Sequence, residues 1–153
     1  MHTYALSHLK DAVLLRDLDA LVSRERGALA AVIAHLAEVD ARRLYLPAGY
    51  PSMYEYCLRK LGWSEQAALK RVRAARAARR FPAIFDALAE GRLHLTAVVL
   101  LAPHLTADNA EDLLAAAAHR TRSEIEELLA RWFPRPNVPT RLEPIASAPQ
   151  FWA

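Results

Sequence analysis

The sequence predicts an all-α protein. Its 153 residues are rich in Ala, Leu and Arg, they include only four glycines, and Val and Ile are too scattered to build strands. Apolar residues recur at spacings of three and four, which is the period of an amphipathic helix. A chain of this length can bury one sizeable core but is too short for two ordinary domains. We therefore expect a single multi-helix domain over residues 1–133, followed by a proline-rich, extended tail over residues 134–153.

The first segment, residues 7–43, predicts one amphipathic helix, or two with a break near Gly27. Part of this segment fits a seven-residue repeat, whose apolar members are Leu18, Leu21, Ala28, Val32 and Val39. Glu25 and His35 fall on the same positions and interrupt the repeat. Two interpretations follow. The helix packs on its own domain, or it provides the seam of a homodimer.

Residues 52–80 predict two helices joined by a tight turn. Ser52 opens the first helix with a Ser-x-x-Glu capping box, and Gly62 stops it. Ser64 is a good N-cap for the second helix, which extends to Arg80. A connection this short forces the helices to cross sharply, as they do in a helix-turn-helix. We therefore predict a helix-turn-helix over about 52–80.

Positive charge is concentrated in the same stretch. The window 59–80 holds eight of the chain's 20 Lys and Arg residues against a single acid, Glu65, so its formal charge is +7, whereas that of the whole chain is +3. This local excess indicates a contact surface for an anion. A solvated helix usually alternates Glu with its basic residues, which this one does not. A membrane surface is a poor partner, because the apolar side of the second helix offers mostly Ala and Val.

Projection of the second helix at 100° per residue separates two arcs. The apolar arc, which we expect to pack on the preceding helix, contains Ala68, Val72 and Ala75. The outward arc contains Gln66, Lys70, Arg73, Arg76 and Arg80. Arg71 falls off the outward arc, and we expect it to brace the fold. Ala74, Ala77 and Ala78 fit both a close approach to a partner and a tightly packed interior.

The outward side chains suit duplex DNA. Arg makes bidentate contacts with guanine and Gln with adenine, and either basic residue binds phosphate. We expect Gln66, Lys70 and Arg73 to lie nearest the bases. The expected phosphate contacts come from Arg76, Arg79, Arg80, Arg59 and Lys60.

A series of short motifs surrounds this helix: Leu61-Gly62-Trp63-Ser64, then 72–76, 81–93 and 96–101. Together they resemble the central helix-turn-helix domain of the ParB and KorB partition proteins, over about residues 52–105. Those proteins have a Leu-Gly-x-Ser turn, an arginine-bearing recognition helix and a Gly-x-Leu step. The resemblance implies that residues 64–80 form the recognition helix and residues 52–61 the supporting one.

A second set of motifs, in 37–43, 49–56 and 76–82, resembles the helical N-terminal region of a bacterial group of HNH-endonuclease proteins. In such proteins a proline-rich linker leads to a C-terminal nuclease module. Here a linker begins at Pro134 and the chain then stops. The resemblance therefore implies the DNA-facing part without the nuclease. Phe151 and Trp152 are unusually apolar for a free end, and we expect them to dock on this domain or on a neighbouring chain.

No constellation of catalytic residues is visible. The six histidines are scattered, and no two of them stand at the i, i+4 spacing that would pair them on one helical face. There is no Gly-rich phosphate loop and no Gly-x-Ser-x-Gly elbow. His94 and His104 flank a predicted helix, but a metal site from those two alone is not expected. We predict no enzymatic activity, no cofactor, no metal and no small-molecule ligand.

The compartment follows from a few observations. Cys57 is the single cysteine, so no intramolecular disulfide forms, and a reducing cytoplasm fits best. No apolar run approaches the roughly 20 residues that cross a bilayer, and the N-terminus lacks a signal core. We expect a cytoplasmic protein without a membrane partner.

The functional prediction is binding of double-stranded DNA through the helix-turn-helix. Regulation of transcription is the use we expect first, and DNA targeting for an HNH nuclease the second. A hypothesis of another class is a helical interaction module whose arginine face meets an acidic protein. One helix-turn-helix unit buries little surface, so useful affinity requires a homodimer or a fused partner.

Overall fold

The computed structural model describes residues 3–135. In this part of the chain it contains seven α-helices, one 3-10 helix and no strand, which confirms the all-α prediction. The helices are α1 Asp11–Arg42, α2 Met53–Arg59, α3 Glu65–Arg80, α4 Ala83–Ala89, α5 Leu95–Leu101, α6 Ala110–Ala117 and α7 Arg122–Trp132, with the 3-10 helix Ala102–His104 directly after α5. Beyond Arg135, the predicted tail and the expected docking of Phe151 and Trp152 lie outside the described residues.

The first segment forms one unbroken helix of 32 residues, so the break considered near Gly27 is absent. A glycine in a helix interior costs only about 1 kcal/mol relative to alanine, and the apolar period continues in phase on both sides of it. The helix ends at Arg42, and its C-cap Arg43 adopts φ +52° and donates its N–H to the carbonyl of Asp40. Its two halves differ: the buried residues are Ala30, Ile33, Leu36 and Ala37, all in the second half.

The connection between α2 and α3 has the predicted local structure. The Ser52 hydroxyl accepts a hydrogen bond from the Glu55 N–H (3.0 Å), and the Ser64 hydroxyl accepts one from the Ala67 N–H (3.2 Å). Both predicted N-caps are therefore confirmed. Gly62 adopts φ +72°, a conformation that glycine reaches without steric cost and that ends α2.

Helix α3 lies at the centre of the fold and contacts α1, α2, α4 and α5. Six of its residues are buried: Ala68, Val72, Ala74, Ala75, Ala77 and Ala78. The apolar arc is therefore wider than the projection predicted, and Ala74, Ala77 and Ala78 pack in the interior. Small side chains let the neighbouring helices approach α3 closely. The core around α3 includes the fully buried Ile33, Met53, Ile84, Leu101 and Ile125.

The C-terminal helices support the fold through their caps. His94 is the N-cap of α5: its Nδ1 accepts the Ala97 N–H (3.0 Å), which leaves Nε2 to donate to the Arg120 carbonyl (3.2 Å). Helix α7 begins at Arg122, and its N-cap Thr121 forms a reciprocal capping box with Glu124. The hydrogen bond from the Thr121 backbone N–H lowers the pKa of Glu124. Among residues 3–135, no helix combines the length and the hydrophobicity needed to span a membrane.

Candidate nucleic-acid interface

One straight face of α3 stays exposed, and most of the rest of the helix is enclosed, except for Glu65 at its start and Arg79. Its residues are Gln66, Leu69, Arg73, Arg76 and Arg80, which we call the α3 strip. They alternate spacings of three and four, so they form a single line about 21 Å long on the helix surface. Four of the five residues predicted to face outward belong to this line. The fifth predicted residue, Lys70, is not part of the strip. Leu69 is part of the strip but was not predicted to face outward.

Lys70 lies at the edge of the strip and is half-buried. Its Nζ donates a hydrogen bond to Thr96 Oγ1 of α5 (3.1 Å). The projection placed Lys70 outward because it could not show that α5 packs along that side of α3. Gln66, Lys70 and Thr96 line a shallow groove between the two helices. Any contact that Lys70 makes with a ligand therefore competes with Thr96.

Leu69 is the reverse case, with 42% of its surface exposed in the middle of the strip. The same helical projection places it between Arg76 and Arg80, so the signal was present in the sequence. Apolar residues were assigned to packing, however, and Leu69 was overlooked. An exposed leucine among arginines gives the strip an apolar centre.

Acids at the end of α1 hold two of the predicted phosphate-binding arginines. Arg76 forms an ion pair with Asp40 and donates two hydrogen bonds to its carboxylate, from Nε at 2.9 Å and from Nη2 at 3.1 Å. The hydrogen bonds with Asp40 raise the pKa of Arg76 above its ordinary value. Arg79 binds Glu38 at 3.1 Å. These pairs orient the guanidinium groups and neutralise part of their charge.

Glu38 is shared between two cations. Arg42 Nε donates to it at 2.8 Å, and its second oxygen accepts from Arg79. These hydrogen bonds, the one from Arg42 first, lower the pKa of Glu38. Sequence reasoning did not find the roles of Glu38 and Asp40. The available signal was the pair of acids two residues apart at the end of a helix that precedes an arginine-rich one.

Arg73 and Arg80 have no acidic partner within the described part of the chain. Arg73 makes no side-chain hydrogen bond there, and the Arg80 guanidinium lies 5.1 Å from the centre of the Phe81 ring. Together with Arg76 they line a shallow cleft whose opposite side is apolar, formed by Val99, Ala102 and Pro103. The cleft therefore places cations beside an apolar surface.

The remaining predicted cations belong to the end of α2. Arg59 pairs with Glu55 one turn earlier at 2.7 Å, and this hydrogen bond raises the pKa of Arg59. Lys60 is exposed and makes no ion pair with another described residue. Both residues precede the turn at Gly62, so they are close in sequence to the start of α3.

Arg71 braces the turn, as its position off the outward arc predicted. Its guanidinium lies 4.9 Å from the centre of the Trp63 ring, and its Nη1 donates to the Ala67 carbonyl (3.4 Å). A cation held on an aromatic face contributes about 0.5–1 kcal/mol at a partly exposed site. Arg71 thereby couples the connecting turn to α3.

His94 and His104 have structural roles in the described part of the chain. His94 caps α5, whereas His104 follows that helix and stacks on Phe133 with 4.8 Å between ring centres. The two rings thus belong to opposite ends of α5. Within residues 3–135 no group of three or more His, Cys, Asp or Glu side chains is arranged to hold a metal ion. Burial raises the pKa of the Cys57 thiol.

Comparison with known proteins finds no matching family model, no matching curated protein and no matching solved structure. The functional argument therefore depends on the geometry of α3 and its neighbours.

Proposed function

We propose that this chain binds double-stranded DNA through a helix-turn-helix formed by α2 and α3, with α3 as the recognition helix. The observation that carries the proposal is the α3 strip. It is a straight exposed line containing one glutamine, one leucine and three arginines on a helix that has six buried residues. The sequence resemblances to the ParB and KorB domain and to the N-terminal region of HNH-endonuclease proteins support the same assignment.

The strip suits the major groove, which is about 12 Å wide and admits one α-helix. In the proposed complex Gln66 and Arg73 face base edges, where Gln favours adenine and Arg favours guanine. Leu69 lies between them and is placed to contact a thymine methyl group. Lys70 joins these contacts by exchanging Thr96 for a DNA acceptor.

Phosphate contacts surround this centre. Arg80 is free of acidic partners among the described residues, and Lys60 is as well. Arg59, Arg76 and Arg79 form ion pairs whose arginine side chains are at least half-exposed. An exposed ion pair contributes about 0–1 kcal/mol, so a phosphate can replace or share the carboxylate of Arg59 or Arg79 at small cost. Arg76 is held more strongly, because the side chain of its partner Asp40 is only 19% exposed.

The proposed role is regulation of transcription, with DNA targeting for a separate HNH nuclease as the second use. No enzymatic activity of this chain belongs to the proposal. One such unit buries little DNA, so a homodimer or a fused partner raises the affinity to a useful level.

A second candidate is binding of an acidic, amphipathic protein segment. The observation that favours it is the cleft between α3 and the 3-10 helix, where Arg73 and Arg80 lie opposite Val99 and Pro103. An amphipathic acidic helix would satisfy both sides of such a cleft.

Titration of a labelled DNA duplex, read by gel shift or fluorescence anisotropy, tests the proposal. The variant that combines Lys70→Ala with Arg73→Ala should bind at least about tenfold more weakly. Its slope of log affinity against log salt should be shallower, by the amount expected for the loss of about two phosphate contacts. Arg131→Ala is the matched control, because it removes an exposed arginine of α7 that has no ion pair with a described residue. Wild-type binding no tighter than roughly millimolar at ~100 mM salt contradicts the proposal, as does equal binding by the double variant.

A further inference from the structure

The first half of α1 carries an apolar stripe that no other residue between 3 and 135 covers. Leu14, Leu15, Leu18 and Leu21 are 39%, 62%, 55% and 58% exposed. No residue between Asp11 and Arg26 is buried, and the residues of α1 that join the core begin at Leu29. A contiguous exposed patch of large apolar residues marks an interaction site, whereas single exposed leucines do not.

The stripe has the order of a coiled-coil seam. In a seven-residue repeat Leu18 occupies position a, Leu14 and Leu21 occupy position d, and Leu15 and its equivalent Val22 occupy the flanking position e. The other flank, position g, carries opposite charges one heptad apart, Asp17 and Arg24. Among the described residues only the second half of α1 packs on its own fold, so the homodimer interpretation concerns the first half alone.

The charges select one direction of pairing with a second copy. In a parallel pair, Glu25 at position a would face Glu25 of the second copy, and Asp11 would face its equivalent in the same way. In an antiparallel pair, Glu25 faces Leu14 of the second copy, where its carboxylate reaches solvent at the edge. The parallel arrangement therefore repeats like charges in the seam and the antiparallel arrangement avoids them.

The antiparallel register also gives the residues on both flanks of the seam, positions e and g, a partner in the second copy. When Leu18 lies opposite Leu21 of the second copy, the g positions bring Asp17 beside the second copy's Arg24, and the e positions bring Leu15 beside its Val22. Each contact occurs twice, because an isologous pair has twofold symmetry. Within one chain, Asp17 and Arg24 do not form an ion pair with each other. Asp17 lies 3.7 Å from the adjacent Arg16, and Arg24 forms no ion pair with a described residue.

We propose that two copies of this chain associate through antiparallel α1 helices, with Leu18 of each copy packed on Leu21 of the other and Asp17 paired with Arg24. This register places the Leu29 residues of the two copies about 28 Å apart along the common axis. The two folds therefore lie at opposite ends of the stripe. The inference does not depend on DNA binding, and it is tested without DNA.

Sedimentation of the full chain from about 1 to about 200 μM gives the first test. We expect a monomer–dimer equilibrium with a micromolar dissociation constant, and a monomer at all concentrations for Leu18→Glu combined with Leu21→Glu. Both positions are exposed and the second half of α1 is anchored in the core, so circular dichroism should show that the fold is retained. A wild-type chain that stays monomeric at the highest concentration overturns the proposal.

Charge reversal tests the register itself. Asp17→Arg and Arg24→Asp should each raise the dimer dissociation constant by about tenfold, because each places two like-charged pairs on the flanks. The double variant with both changes should restore wild-type association. The two positions are about 10 Å apart on one helix, so this rescue comes from the second copy. Asp19→Arg, at the outward position b, is the control and should leave association unchanged, because Asp19 is exposed and forms no ion pair with a described residue. A double variant that dissociates like the single ones overturns the antiparallel register, as do single variants that associate normally.

Discussion

We expect Asp40→Asn to tighten DNA binding while it lowers the stability of the fold. Asp40 is the acid that holds Arg76 by two hydrogen bonds, and its side chain is only 19% exposed. Asparagine keeps the shape and one acceptor but loses the charge. The substitution therefore releases one arginine of the α3 strip and removes a carboxylate that repels phosphate.

The size of both effects follows from this geometry. A hydrogen bond to a charged group contributes about 1.5–3 kcal/mol, and the 61% exposure of the Arg76 side chain reduces the value of this pair to about 1–2 kcal/mol. The midpoint of thermal unfolding should fall by about 2–8 °C. One released phosphate contact should steepen the salt dependence by about 0.9 in the logarithmic slope, with about threefold to tenfold tighter binding near 100 mM salt.

Fluorescence anisotropy with a labelled duplex over about 50–200 mM salt measures the first effect, and thermal unfolding followed by circular dichroism measures the second. Glu126→Gln is the matched control, because it removes a carboxylate from the exposed Arg122 pair on α7. We expect it to change neither quantity appreciably. The reasoning is refuted if Asp40→Asn lowers stability and leaves the affinity and its salt slope unchanged, since Arg76 would then have only a structural role.

Three further predictions concern the supports of α3. Ser64→Ala should cost about 1 kcal/mol in urea unfolding by removing the N-cap of α3, and Ser64→Asp should restore most of it. The pKa of Glu38 is lower folded than unfolded, so its contribution is present above its ordinary value of 4.5 and is lost as the pH falls further. Glu38→Gln should therefore reduce the loss of stability on acidification, and an unchanged acid profile would count against the pairs that Glu38 forms with Arg42 and Arg79. Arg71→Ala should cost about 0.5–1 kcal/mol and shift the emission of Trp63 towards that of a solvated indole, whereas an unaltered spectrum would contradict the stacking.

The local features of the fold were predictable because short-range chemistry determines them. A serine hydroxyl caps the helix that follows it, and a glycine reaches positive φ without steric cost, so the α2–α3 connection followed from Ser52, Gly62 and Ser64. The outward line of α3 was largely predictable too, since a fixed helical period orders its side chains.

The neighbours of each face were not predictable in the same way. Lys70 and Arg73 are both basic residues of α3, yet only the packing of α5 gives Lys70 a partner in Thr96. Similarly, the pairing of Arg76 with Asp40 joins residues 36 positions apart in the chain. The helical period predicts which side chains share a face, but it does not predict which other element covers that face.

The difference between local and long-range determinants also applies to the two proposed interaction surfaces, the α3 strip and the first half of α1. The sequence alone determined an all-α chain, the caps and turn between α2 and α3, and a local excess of positive charge, because each depends on composition or on neighbours within about one helical turn. The tertiary structure decided which cations lack an acidic partner among residues 3–135 and which half of α1 no other residue of that range covers. Those outcomes depend on long-range packing around α3, where six side chains are buried and the α3 strip stays exposed.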